Sequence, residues 1–238
     1  VTHRTTPRPT LQAVLFDMDG TLVDTERLWW EAVERVADGL GHGLAGADQP
    51  EVLGRPVEHT AAWLGRITGA PVREIAEELH GEFAHRVRTG IVTRPGATRL
   101  LDALARDGVP TALVTASPRA VADMVLRALG ADRFAVSVTA DDTERTKPAP
   151  DPYLAACRAL GVEPAACVAV EDTPTGVTSA EAAGCAVLAV PSLAPIAPAA
   201  GRTVLASLEE VTPHGLRAMV APRELRSTTR PTAPFRWC

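Results

Sequence analysis

Asp17 and Asp19 stand two residues apart in the run Asp17-Met18-Asp19-Gly20-Thr21, directly after the apolar stretch Leu11 to Phe16. Two carboxylates so placed can divide labour: one attacks as a nucleophile, the other gives and takes protons. Gly20 lets the backbone turn tightly and aim amides at an anion. A solvated acidic turn would look the same on this motif alone, because short motifs recur by chance.

Three further segments bear on the choice. In Val114-Thr115-Ala116-Ser117-Pro118 an apolar run ends, a hydroxyl follows and a helix begins. Ser117 is expected as the N-cap and Pro118 as the first helical residue. Thr115 then lies beside a helix N-terminus, a ready anion site. Lys147, in Thr146-Lys147-Pro148-Ala149-Pro150-Asp151, is the only lysine of the chain. It reads either as a surface lysine before a Pro-rich loop or as a compact ammonium that neutralises a phosphoryl oxygen. In Val170-Glu171-Asp172-Thr173-Pro174 two acids meet where a strand should pass into a helix. Thr173 fits an N-cap and Pro174 the first helical position. Acids there can serve the helix dipole or, with Asp17, hold a hard cation such as Mg2+.

Each of the four segments follows a predicted strand. Apolar runs at Leu11 to Phe16, Val109 to Val114, Ala135 to Thr139, Cys167 to Val170, Ala186 to Val190 and, more weakly, Thr203 to Ala206 read as buried parallel strands. Amphipathic stretches at Ala97 to Asp107, Pro118 to Leu129, Pro150 to Leu160 and Pro174 to Ala183 alternate with them. The expected class is α/β, a Rossmann-like parallel sheet flanked by helices, and in such sheets ligands bind at the C-terminal ends of the strands. Residues 23–92 break the rhythm. Trp29, Val33, Val36 and Ala37, and then Ile75, Leu79 and Phe83, fall at helical spacing, which predicts a helical cap inserted after the first strand. The core is expected over 11–22 and 93–222, with Pro95 and Gly96 marking the return. Residues 1–10 and 223–238 read as loose tails.

Brought together, Asp17, Asp19, Glu171 and Asp172 place about four negative charges in one crevice, where each repulsion costs on the order of 1 kcal/mol in water and more when buried. A divalent cation and Lys147 would offset them. Nucleophile, acid/base, metal ligands and phosphate clamp are the set that phosphoryl transfer to a carboxylate needs.

Composition narrows the partners. With 46% hydrophobic residues and a net charge of −5 the chain suits a globular protein and not a nucleic-acid binder. No apolar run is long enough to span a membrane, and the first ten residues lack the apolar core of a secretory signal. Cys157, Cys167, Cys185 and Cys238 form no CxxC pair and no zinc spacing, so they are expected as free thiols in a reducing, cytoplasmic setting.

These motifs, in this order, resemble the haloacid dehalogenase superfamily, in its phosphoglucomutase-like branch with a helical cap after the first strand. The similarity runs from about Gln12 to Met219, including Gly176 and Ala182-Ala183-Gly184. The resemblance implies that Asp17 attacks phosphorus, that Asp19 protonates the leaving oxygen and then activates water, and that Thr115, Ala116 and Lys147 bind the phosphoryl oxygens. It implies Mg2+ held by Asp17, Asp172 and the Asp19 carbonyl, with Glu171 as an additional or water-mediated ligand. True dehalogenases of the superfamily lack the second aspartate, and its ion pumps follow the nucleophile with Lys-Thr-Gly. Mutases of the branch carry a cap histidine near the position of Trp29 and a cap arginine near that of Val57, and neither type stands there. The resemblance thus points to a phosphatase of small phosphorylated metabolites, sugar or polyol phosphates, acting as a monomer or small homo-oligomer. A phosphosugar mutase and a non-catalytic binding protein are the alternatives. Glu26, Trp29, Arg55 and His59 are the cap candidates for specificity, against simple packing for the tryptophan and a surface role for the histidine.

Overall fold

The computed structural model describes residues 10–220. Of the tails expected at 1–10 and 223–238, residues 1–9 and 223–238, with Cys238, lie outside the described residues. Six strands form one parallel sheet: β1 (Ala13–Phe16), β2 (Thr111–Val114), β3 (Val136–Val138), β4 (Cys167–Glu171), β5 (Ala186–Ala189) and β6 (Arg202–Val204), in the order β3-β2-β1-β4-β5-β6. This is the doubly wound order, and it reverses between β1 and β4. The expected class is therefore the observed one.

The strands are continuous apolar runs because both faces are covered. Along β1 the side chains alternate: Val14 and Phe16 enter one hydrophobic cluster, Ala13 and Leu15 the other. On the first face pack α5 (Ala97–Arg106), through Leu100, Leu101 and Leu104, and α6 (Arg119–Leu129), through Ala122, Val125 and Leu126. On the second face pack α7 (Asp151–Leu160), through Tyr153, Ala156 and Cys157, and α8 (Pro174–Ala182), through Val177 and Ala180. One helix was not legible in the pattern: α9 (Pro213–Val220) is short and holds itself on the first face with Leu216 and Val220, one turn apart.

Between β1 and α5 the chain forms α1 (Thr25–Gly39), α2 (Gln49–Val52), α3 (Val57–Thr68) and α4 (Val72–Gly90). They close on a third apolar cluster that contains Trp29, Val33, Val36, Trp63, Leu64, Ile75 and Leu79. The two connections to the sheet run side by side. Asp24 N–H donates to the Val92 carbonyl, Arg94 N–H donates to that of Leu22, and Val23 bridges Thr93. Among the described residues no helix is long and apolar enough to cross a membrane.

Candidate active site

β1 delivers Asp17 to the C-terminal edge of the sheet, where its N–H donates to the Val170 carbonyl of β4 at 2.9 Å. The chain then folds back on itself. Leu22 and Val23 N–H groups both donate to the Met18 carbonyl, and Gly20 takes φ +80°. A Cβ at Gly20 would stand 2.1 Å from Asp172 Oδ2, so only glycine brings this turn so close to the second acidic segment.

Lys147 is buried, its side chain 6% exposed. An ammonium has three donors, and all three are used: Asp17 Oδ1 at 2.6 Å, Glu171 Oε1 at 2.6 Å and the Val114 carbonyl at 2.9 Å. The surface reading of this lysine is thereby excluded. Burial lowers the ammonium's pKa, but Asp17 and Glu171 more than reverse that and hold it above its ordinary value. Burial pushes Asp17 well above the usual carboxylate range. Lys147 pulls it down, while Glu171, Asp172 and Asp19 push it further up. Asp17 Oδ2 is buried without a partner.

Glu171 closes β4 and is fully buried. Its Oε1 also accepts from the Tyr153 hydroxyl at 2.6 Å, and its Oε2 from Asp172 N–H at 3.3 Å. Asp172 accepts from Thr21 and, closely, from Ser192. Its pKa is raised to about 6, by burial and the charge of Glu171 against the Ser192 bond and Lys147. Thr173 caps α8 by accepting from Gly176 N–H at 3.1 Å, with Pro174 at the first helical position as expected. Gly176 has a second task, since a Cβ there would lie 2.0 Å from the Glu171 carboxylate. Gly176→Ala is therefore expected to destabilise the protein by about 1–3 kcal/mol, measured as a lower midpoint in urea. An unchanged midpoint would mean that Glu171 moves freely.

The expectation for Ser117 is corrected. Pro118, not Ser117, is the N-cap of α6, whose first helical residue is Arg119. Val121 and Ala122 N–H groups donate to the Pro118 carbonyl. The Ser117 hydroxyl is thus free to donate to Asp19 Oδ2 at 2.8 Å, beside Thr115 Oγ1 at 3.0 Å. Two hydroxyls therefore hold one oxygen of Asp19, an arrangement that residue types 96 and 98 positions away give no way to foresee.

A cavity of about 570 Å³ opens over this edge, walled below by Asp17, Asp19, Ala116, Ser117, Lys147 and Asp172, and above by the inserted helices. Glu26, Trp29 and Arg55 line it, whereas His59 does not. His59 Nε2 instead lies 2.7 Å from Glu51 Oε2. Trp29 is mainly packed: it meets Phe83 edge-on at 5.6 Å and its indole N–H donates to the Val52 carbonyl. Arg55 Nε donates to the Pro50 carbonyl, and Glu26 Oε2 accepts from Gly54 N–H at 3.1 Å. Burial raises the Glu26 pKa against that bond. His80 and Phe83, from α4, line the upper wall as well. Phe83 lay in the apolar period, but nothing in the sequence singled out His80.

Carboxylates and one buried ammonium thus gather at the switch point of a doubly wound sheet, under a helical roof, where α/β folds bind their ligands. The family model for haloacid dehalogenase-like hydrolases matches residues 11–184. The chain is 40% identical over 184 residues to hexitol phosphatase A of Escherichia coli K12, covering 74% of this chain and 81% of that one. It is 36% identical over 175 residues to validoxylamine A 7'-phosphate phosphatase of Streptomyces hygroscopicus subsp. limoneus, covering 73% and 82%. The crystal structure of CbbY from Rhodobacter sphaeroides in complex with phosphate superposes with a TM-score of 0.72 at 28% identity, covering 87% of this chain and 99% of that one. The chain belongs to the haloacid dehalogenase-like hydrolase family, and it is an enzyme.

Proposed function

We propose that this chain is a phosphatase of small phosphorylated metabolites, with sugar or polyol phosphates as the substrate class, acting through an aspartyl-phosphate on Asp17. The observation that carries the reading is the buried Lys147 ammonium bound at 2.6 Å to both Asp17 and Glu171. It fixes one oxygen of the nucleophile and places positive charge where phosphoryl oxygens would gather. The relatives support the substrate class: one is named a hexitol phosphatase and the other a phosphatase of validoxylamine A 7'-phosphate.

In the proposed sequence an Asp17 oxygen forms a bond to phosphorus as the ester oxygen leaves, and that oxygen takes a proton from Asp19. Asp19, now a carboxylate, removes a proton from the water that attacks the phospho-aspartate, and phosphate departs with Asp17 restored. Thr115 and Ser117 hold the Asp19 carboxyl in line for both transfers. The roof formed by residues 23–92, taken as a cap domain, would exclude bulk water.

The donor set fits Mg2+. Oxygens of Asp17, Glu171 and Asp172 lie within 4.8 Å of one another, and Asp17 Oδ2 has no partner. The Asp17 and Asp172 carboxylates with the Asp19 carbonyl would hold the ion, with Glu171 behind them bound to Lys147 and Tyr153. When bound, Mg2+ supplies charge neutralisation to the phosphate and to the acidic cluster.

A pH effect follows. Asp172 has a folded pKa of about 6 against 3.8 for the ordinary group. Between those values the folded state keeps a proton that the unfolded state has released, so metal-free protein loses stability as pH rises, roughly a few kcal/mol by pH 7. A cation binds the deprotonated form. The rise in unfolding temperature on adding Mg2+ should therefore be larger at pH 7.5 than at pH 5. An equal rise at both would reject the assignment of Asp172 as a ligand.

The functional test is product analysis. Hexitol and sugar monophosphates incubated with protein and Mg2+ should yield inorganic phosphate in step with substrate loss. Isomerised phosphosugar without free phosphate would favour the mutase. The cap speaks against the mutase, with Trp29 and Val57 in the positions where its cap histidine and arginine are expected.

A further inference from the structure

The chain has one lysine and one tyrosine, and both lie in the same buried cluster. Tyr153 is fully buried on α7. Its hydroxyl donates to Glu171 Oε1 at 2.6 Å, and its ring lies under the Lys147 ammonium, 5.3 Å from the ring centroid. A phenylalanine would fill the same volume with no polar group to satisfy, whereas a buried phenol needs a partner. Here the partner is the carboxylate that competes with Asp17 for Lys147. Glu171 Oε1 receives two donors, the phenol and the ammonium, both at 2.6 Å. Each donor reduces the charge that the other must balance. The ring face adds a weak attraction that keeps the ammonium over α7.

We propose that Tyr153 is a positioning residue for the phosphoryl transfer: by donating to Glu171 and underlying Lys147, it keeps the ammonium shared between Glu171 and Asp17. Without the hydroxyl, Glu171 Oε1 keeps a single donor and draws Lys147 away from Asp17. Charge compensation at the phosphoryl group then weakens. The effect belongs to the transition state, where negative charge on the transferring oxygens is greatest, so it falls on kcat more than on KM. The proposal rests on the reading of Lys147 as the phosphate-binding cation.

Tyr153→Phe keeps the ring and removes the hydroxyl. It should lower kcat about tenfold, with KM changed less than about threefold. Because Tyr153 acts through Glu171, adding Tyr153→Phe to Glu171→Gln should lower kcat little beyond Glu171→Gln alone. A second readout needs no turnover. Lysine labelled with 15N gives one amino resonance, from Lys147, and Tyr153→Phe should shift that resonance or broaden it through faster exchange with water. Active wild type with an unchanged kcat and an unmoved resonance in Tyr153→Phe overturns the proposal, as do fully additive losses in the double variant. Wild type that releases no phosphate sinks the phosphatase reading instead, and the resonance then decides on Tyr153 by itself. Should Tyr153→Phe compromise folding, 3-fluorotyrosine incorporated at the sole tyrosine keeps the ring and strengthens the donor. It must shift the Lys147 resonance, and an unshifted one rejects the proposal.

Discussion

Asp17→Asn is expected to reduce phosphate release by on the order of 10⁴-fold or more while leaving the protein folded. A reaction that passes through a covalent intermediate loses its pathway with its nucleophile, and removal of a nucleophile is among the largest single effects in enzymes. The amide occupies the same space as the carboxylate. Its oxygen can still accept from Lys147, as Asp17 Oδ1 does at 2.6 Å. The variant also removes a buried charge whose pKa is driven up by burial and by three neighbouring acids. The unfolding temperature should therefore not fall, and circular dichroism on heating will separate lost chemistry from lost structure. Acid-quenched wild type incubated with labelled substrate should retain a hydroxylamine-sensitive label that Asp17→Asn lacks. Full phosphate release by the variant would move the nucleophile to another group.

Lys147→Ala is expected to affect stability as strongly as activity. The ammonium is the sole cation in contact with Asp17 and Glu171 among the described residues, and Asp172 lies within reach of both carboxylates. Removing one partner of a buried pair leaves uncompensated charge, at a cost of about 3–5 kcal/mol. For a chain of this size that lowers the unfolding temperature by roughly 10 °C. The loss should be smaller at pH 5 than at pH 8, because Asp17 and Asp172, whose pKa values burial raises, take up protons and relieve the charge. Mg2+ should recover part of it at pH 8. Lys147→Arg should not restore activity: a planar fork of five donors cannot replace a point charge that meets three acceptors in different directions. Differential scanning fluorimetry across pH, with and without Mg2+, checks each statement. A melting temperature indifferent to Lys147→Ala would contradict the buried bridge.

The sheet could be read from the chain because each strand is a short apolar run closed by Gly, Pro or acidic residues, and burial on both faces leaves that mark. The shortest elements were less visible. β6 is three residues long and only half-buried, and α9 carries just two buried positions a turn apart. The four chemical segments were legible for a related reason: three directly follow a strand and the Lys147 segment lies in the loop between β3 and α7, so parallel strand order carries all four to one edge. Ser117 was assigned wrongly because a Ser-Pro pair before a helix satisfies a local capping rule. The structure instead places an acceptor from the turn after β1, Asp19, within 2.8 Å of its hydroxyl. His59 lies near the cavity in sequence terms, but the local turn gives it Glu51 as a partner.

Asp17 with Asp19, Lys147 as the single lysine, and Glu171 with Asp172 were singled out by the sequence itself, where residue type, placement at strand ends and the resemblance carried by all four segments together propose a nucleophile, a proton carrier and cation ligands. The identity of the partners was decided only by the tertiary structure. Tyr153 meets Glu171, Ser117 meets Asp19, Gly176 makes room for a carboxylate, and Lys147 spans two acids. The physical reason is range. Strand and turn propensities act within a few residues, whereas a hydrogen bond or an ion pair depends on distances of 2.6 to 3.0 Å between side chains that the packing of helices on the sheet brings together.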